Sequence, residues 1–197
     1  MQKTWPPIAF LLSLLLAAPN LYADANDGDL FGYDLGATYD EPDNKPLDDG
    51  RLVLLATRSP VKPSTIETVY VLATPVSRTI GKIAGETWFA DGEDALVAYE
   101  RFRAILREKY GDWESQERSD VHFQGSSMTS EEYSLGIQVS GPHRDNPPNS
   151  NGRPFQMVIS LGYRPSTAAA ADFEQLADQE VQQAAAGKFS EDDQRGL

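Results

Sequence analysis

Cysteine is absent from this chain of 197 residues, and histidine occurs only twice. Without cysteine there can be no disulfide framework, no thiolate metal site and no lipid anchor attached to a cysteine. A chain of this length buries enough surface to fold without disulfides. The two histidines, His122 and His143, show none of the short spacings that are typical of zinc sites. We therefore expect neither a metal ion nor another cofactor.

Basic residues are scarce. The chain has 17 lysines and arginines against 30 aspartates and glutamates, which gives a formal net charge of -13. Proteins that bind nucleic acids or anionic membrane surfaces need a basic face, so this balance argues against both classes. The same balance favours solubility and attracts cationic partners.

Long hydrophobic runs are also missing, except near the start of the chain. Ile8 to Ala18 is apolar but shorter than the roughly 20 residues that a helix needs to span a bilayer. Lys3 precedes this run, and small residues around Ala23 and Ala25 follow it. The pattern is typical of a secretory signal peptide, which we assign to residues 1–23. We expect the mature protein in the periplasm of a Gram-negative bacterium, or secreted.

The rest of the chain alternates between strand-like and helix-like patterns. Strands are predicted at 30–39, 51–57, 65–74, 78–89, 121–123, 132–140 and 155–163, and helices follow Asp91 and Thr167. Gly81 and Gly85 mark a bulge or a close contact, and Gly111 and Gly187 mark helix ends. The order predicts an α+β fold in two layers, a mostly antiparallel sheet with two main helices packed on one face. In one version of this fold, the chain consists of two halves, each with about three strands followed by a helix. Residues 24–187 would be one domain and 188–197 a flexible acidic tail.

Catalytic and calcium-binding patterns are weak. His122 lies close to Ser126 and Ser127, but no G-x-S-x-G elbow surrounds these serines, so a hydrolase is the less favoured alternative. The segment 24–29 resembles the start of a calcium loop. However, its glycine comes one position early, and Leu35 stands where the loop needs a glutamate. We expect a solvated loop there, and we lean against an enzyme.

The most informative irregular segment is Gly141 to Pro154, between two well-patterned strands. Connections of this length are uncommon and are either functional or disordered. Polar and charged side chains suited to recognition occur along it: His143, Arg144, Asp145, Asn149, Asn151 and Arg153. These six residues are the predicted contact surface, and a tolerant insertion is the alternative.

Export, acidity and the lack of a catalytic constellation together favour a binding module. We expect a protein partner, with a cationic protein favoured by the charge, as for a periplasmic inhibitor or immunity protein. The alternative is an envelope structural or assembly factor that works through its sheet edges or through the 141–154 loop. The ligand and the oligomeric state stay open.

Overall fold

The computed structural model describes residues 28–40, 45–46, 52–55, 62–111, 114–120, 123–142, 148–149 and 151–195; for 45–46, 52–55, 120 and 187–195 the backbone alone is described. The predicted signal peptide, residues 1–23, lies outside these ranges.

Ten strands and two helices make up the described chain. In chain order they are β1 (Asp29–Leu30), β2 (Tyr33–Asp34), β3 (Lys45–Pro46), β4 (Leu52–Leu55), β5 (Thr68–Ala73), β6 (Ile80–Phe89), α1 (Gly92–Lys109), β7 (Glu114–Asp120), β8 (Phe123–Thr129), β9 (Tyr133–Ser140), β10 (Phe155–Tyr163) and α2 (Ala168–Arg195). The predicted α+β fold is confirmed.

Eight of the strands form one antiparallel sheet in the order β3-β4-β5-β6-β10-β9-β8-β7. Strands β3 to β6, which precede α1, form one meander, and strands β7 to β10, which lie between α1 and α2 in the chain, form the other. The two meanders meet where β6 pairs with β10. Each half therefore contributes four strands to this sheet and ends in a helix, one strand more than the sequence indicated.

One face of the sheet carries the core. Its side chains include Leu135 and Ile137 of β9 and Met157, Ile159 and Leu161 of β10, all buried. Helix α1 packs on them through Ala95, Tyr99, Phe102 and Leu106. Because side chains on a strand alternate between its two sides, this face continues through Ile83 on β6 and Val71 on β5.

The start of α1 agrees with the sequence, but its predicted apolar stripe is partly wrong. The Asp91 side chain caps the helix by accepting a hydrogen bond of 2.7 Å from the Glu93 backbone N–H. Helical spacing in the sequence predicts one apolar stripe made of Leu96, Tyr99, Phe102, Ile105, Leu106 and Tyr110. However, Leu96 is 46% exposed, and Val97 is 64% exposed. Ala95, which is fully buried, holds the inward position in their place.

Helix α2 is anchored at the end of the sheet. The Phe173 ring lies 5.8 Å from the Tyr163 ring and covers Gly81, where the strand pairing shifts as expected for a bulge. Glu180 is only 6% exposed and accepts hydrogen bonds of 2.8 and 2.9 Å from the backbone N–H groups of Val76 and Ser77. Burial would raise the pKa of Glu180, but these bonds outweigh it and lower the pKa.

Two expectations about the chain's ends need correction. Helix α2 continues to Arg195, past the Gly187 that was expected to end it, since one glycine inside a helix costs only about 1 kcal/mol. The flexibility of residues 188–197 stays a prediction. Residues 30–39 do not form one strand, because β1 and β2 make a tight hairpin in which Phe31 and Gly32 have positive φ.

Candidate functional site

We call the face of β6, β8, β9 and β10 that lies opposite α1 the open face; the first turns of α2 border it at one end. The strand pairing sets its side chains in rows that run across the strands. One row consists of four small residues, Ser127, Gly136, Ser160 and Ala84, which lie opposite one another on β8, β9, β10 and β6. We call it the small-residue row. Its members are short, so the row is a depression between taller neighbours such as Gln138 and Val158.

A hollow of about 400 Å³ lies over the small-residue row. A second hollow of about 570 Å³ extends toward the start of α2 and shares Lys82, Gly136 and Ser160 with the first. The two hollows therefore form one trough from β7 to α2. Trough volumes of several hundred cubic ångströms are in the range that ligand sites occupy.

Packing within the fold explains two of the four glycines that line the trough, Gly81 and Gly125, where an added Cβ would lie within 2.6 Å of a phenylalanine ring, but not Gly136 and Gly162. A Cβ atom added to Gly81 would lie 1.9 Å from the Phe173 ring, so that glycine is required by its neighbour. At Gly136 the nearest atom would be Ser160 Oγ at 3.8 Å, and at Gly162 it would be the Gly81 carbonyl oxygen at 3.6 Å, both ordinary contacts. Glycine inside a strand costs roughly 0.5–1 kcal/mol relative to alanine. The trough is therefore emptier than the fold requires.

Charged groups of both signs line the trough, two cations (Lys82 and Arg118) and two carboxylates (Glu117 and Glu174). Lys82 is exposed and forms neither a hydrogen bond nor an ion pair with any residue that the structure describes. Arg118 lies over the Phe123 ring, with Cζ 5.6 Å from the ring centroid, and has no ion pair with a described residue. Glu174 of α2 borders the second hollow and is engaged in interactions of its own.

Glu117 also borders the first hollow, but its carboxylate is held on the opposite side of β7. It accepts hydrogen bonds from Tyr99 Oη at 3.3 Å, Arg107 Nη2 at 2.5 Å and Ser126 Oγ at 3.1 Å, and it pairs with Arg103 at 3.3 Å. Burial and then the Glu117 charge raise the pKa of Tyr99. This cluster ties β7 to α1 and leaves the Glu117 charge satisfied.

A second polar cluster lies beside the trough, around Glu86. Its carboxylate accepts hydrogen bonds from Tyr70 Oη at 2.9 Å, Gln156 Nε2 at 3.0 Å and Trp88 Nε1 at 3.3 Å. Burial, together with the Glu86 bond, raises the pKa of Tyr70 to about 12. Three neutral donors therefore stabilise this carboxylate, and it forms no ion pair within the described part of the chain.

The predicted recognition loop is described only in part. His143, Arg144 and Asp145 lie outside the described residues. Asn149 Oδ1 accepts hydrogen bonds from the backbone N–H groups of Asn151 at 3.0 Å and Arg153 at 2.9 Å, which closes a turn. The side-chain oxygen of Asn149 is therefore used within the turn itself.

Arg153 is held by the sheet. Its Nη2 donates to Glu67 Oε2 at 2.7 Å, and its Nη1 donates to the Trp88 carbonyl oxygen at 2.7 Å and also bonds Glu67 Oε1. The Arg153 hydrogen bond lowers the pKa of Glu67. Arg153 therefore fastens the end of the loop, and the structure does not bring it together with the trough residues.

The weak catalytic and calcium patterns of the sequence involve His122, Ser126, Ser127 and the segment 24–29. His122 lies outside the described residues, so its pairing with a serine stays untested. Ser126 lies on the helix-covered face, where it bonds Glu117, whereas Ser127 lies on the open face. The Asp29 carboxylate accepts two hydrogen bonds of 2.8 Å from Lys109 Nζ, so an ammonium group occupies it.

No family model, no curated protein and no solved structure matches this chain. Among the described residues, neither α1 nor α2 is both long and apolar enough to cross a membrane, and no three acidic or histidine side chains converge as a metal site would need. Function must therefore be inferred from the open face itself. The sequence offered no signal for it, because its residues come together only when four strands lie side by side.

Proposed function

We propose that this chain is an exported binding protein that receives a protein partner on its open face, in the trough above the small-residue row. The observation behind the proposal is that Gly136 and Gly162 leave space that internal packing does not demand. Glycine weakens a strand, so glycines that internal packing does not require are explained if another molecule occupies the space above them.

The lining chemistry suits recognition rather than a reaction. Serine hydroxyls and the amides of Gln116 and Gln138 offer both donors and acceptors for hydrogen bonds to a peptide chain. The trough is open along its length, which suits a segment of a larger partner better than an enclosed small molecule. Two further parts of the proposal depend on the sequence alone. The leader pattern supports export to the periplasm, and the net charge of -13 supports an inhibitor-like or immunity-like role toward a cationic protein.

Site-specific photo-crosslinking tests the proposal. A photoreactive phenylalanine analogue would replace Ser127 or Ser160 in the trough, and Arg101 or Ala104 on the exposed side of α1 as matched controls. Each variant would be expressed in the source cells, irradiated and analysed by mass spectrometry. We expect the same partner to be attached from both trough positions and not from the α1 positions.

A filling variant supplies the second arm. Ser160→Tyr should reduce capture of that partner, because a tyrosine at 160 would occupy the trough between Ala84 and Gly136. Ala104→Tyr, on the exposed side of α1, should leave capture unchanged. Attachment from α1 alone would move the binding site away from the open face, and attachment from no position would refute a protein-binding role.

Strand β7 supports a second candidate function, that of an assembly factor. It is an edge strand of seven residues that pairs with β8 alone among the described strands, and its residues 114–119 are exposed. Such an edge can add a strand from another chain. Crosslinks from Ser115 or Ser119 to a partner, with none from Ser127 or Ser160, would favour assembly through this edge.

A further inference from the structure

We infer that the segment seated in the trough is acidic and extended, with carboxylates toward both of its ends. The inference rests on the proposed function and names the partner's chemistry. It runs against the chain's net charge of -13, which by itself would favour a basic ligand.

The first observation is the placement of the two unpaired cations. Arg118 on β7 and Lys82 on β6 both border the first hollow, at its opposite ends, and neither has an ion-pair partner among the described residues. The order β6-β10-β9-β8-β7 puts four strand spacings between them. Neighbouring strands lie about 4.8 Å apart, which gives about 19 Å across the sheet. The register places Arg118 in one row with Glu86, four residues along β6 from Lys82, which adds about 14 Å along the strands and makes the separation about 24 Å. An extended chain covers that distance in about seven residues, at roughly 3.4 Å per residue.

The second observation concerns the acids near the trough, which are already satisfied. Glu117 is held by two arginines and two hydroxyls on the helix-covered face. Glu86 accepts three hydrogen bonds from neutral donors. Glu174 has interactions of its own. An incoming acidic group would therefore meet, at each end of the first hollow, a cation that no described residue pairs with.

The third observation lies at the α2 end of the trough. The first turn of α2, including Thr167 and Ala170, borders the second hollow and contains no acidic side chain. The positive end of the helix dipole is therefore not compensated there and adds to the attraction of Lys82 for an anionic group. Lys82 belongs to both hollows, so it is the residue on which the inference depends most.

The test uses three synthetic peptides of seven residues. Each has a Ser-Gly-Ser centre and two residues at either end, which are glutamates in the first peptide, glutamines in the second and lysines in the third. Binding to the chain that starts at Asp24 would be followed by shifts of backbone amide resonances in two-dimensional NMR. We expect the glutamate peptide to shift Gly125, Gly136 and Gly162 and to bind about tenfold tighter than the glutamine peptide, with the preference falling at higher salt.

Variants then locate the charge effect. Lys82→Glu and Arg118→Glu should each weaken binding of the glutamate peptide several-fold, and Lys82→Arg should retain it. Arg101→Glu makes the same charge reversal on the exposed side of α1. It should change affinity less than twofold, because it acts on the peptide only through the net charge of the chain. A Lys82→Glu chain that prefers the lysine peptide would be the strongest support.

The outcomes separate the two proposals. Equal binding of all three peptides at the trough would overturn the charge inference and leave the open face as a binding site. Preference for the lysine peptide would overturn the inference in favour of the basic partner that the net charge indicates. If no peptide shifts trough resonances, the inference is wrong, while crosslinking from Ser127 and Ser160 still decides the proposed function independently.

Discussion

Replacing Gly81 with alanine should detach Phe173 from the sheet, although only one methyl group is added. The new Cβ would lie 1.9 Å from the Phe173 ring, far inside the 3.4 Å at which ordinary contacts begin. The φ angle of Gly81 is not positive, so alanine meets no backbone penalty there. The effect is therefore steric, and the ring has to move away.

The magnitude follows from what the ring loses. Phe173 is 9% exposed and packs on Tyr163, and truncation of a core phenylalanine costs about 3 kcal/mol or more. Since Gly81→Ala removes much the same packing, we expect it to cost about 3 kcal/mol as well. Phe173→Ala should cost a similar amount. The double variant should also cost about 3 kcal/mol rather than twice that, because the second change has nothing left to remove.

Urea denaturation of the four chains, followed by circular dichroism, measures this coupling. Gly136→Ala is the matched control, since its Cβ would meet nothing closer than 3.8 Å. It should be neutral or stabilising by up to about 1 kcal/mol, because alanine restricts the unfolded chain more than glycine does. Costs that simply add, or a Gly81→Ala chain as stable as the control, would show that Phe173 does not cover Gly81 as described.

The remaining predictions concern titrating groups. Folding lowers the pKa of Glu180, so the stabilisation from its carboxylate is present above the unfolded pKa and is lost as the pH falls through the folded pKa. Glu180→Gln should therefore cost about 1–2 kcal/mol at pH 7 and almost nothing in strong acid, as measured by urea titrations at each pH. Arg153→Ala should lower stability only slightly, because its partner Glu67 is exposed. This difference should also fade in acid, since folding lowers the pKa of Glu67, and equal effects at both pH values would contradict the pairing. Ultraviolet titration should find that Tyr70 ionises near its raised pKa of about 12, and Glu86→Gln should move that pKa toward 10.

The parts of the fold that were predicted from the sequence are those with a single burial pattern. Strands β9 and β10 were predicted within a residue of their bounds, because an apolar residue at every second position leaves one face to bury and one to expose. Asp91 and the acids after it marked the start of α1 for an equally local reason, since the cap bonds a backbone group two residues away.

Strand β7 was missed because nothing local supports it. Its sequence from Glu114 to Asp120 has no apolar residue, and it is placed by pairing with β8 and by the bonds between Glu117 and α1. The β1–β2 hairpin was missed for a related reason. An alternating pattern does not reveal that Phe31 takes a positive φ, which accompanies packing of its ring over Gly85.

The candidate site shows the same limit in another form. Ser127, Gly136, Ser160 and Ala84 belong to four strands, and each alone is an ordinary small residue. They form a depression only when the strand register sets them in one row, so no continuous stretch of the sequence could indicate it. The polar 141–154 segment drew attention instead, and in its described part Asn149 and Arg153 use their polar atoms to close a turn and to fasten it to the sheet.

Net charge and local charge can therefore point in opposite directions within one chain, and they act at different stages of binding. The total of -13 acts over about a Debye length, so it influences which molecules approach and how fast. Lys82 and Arg118 act at contact, where pairing with a carboxylate mainly slows dissociation. A partner that is basic overall but presents an acidic extended segment would satisfy both, because its bulk would be attracted by the acidic surface and its segment would be retained by the trough.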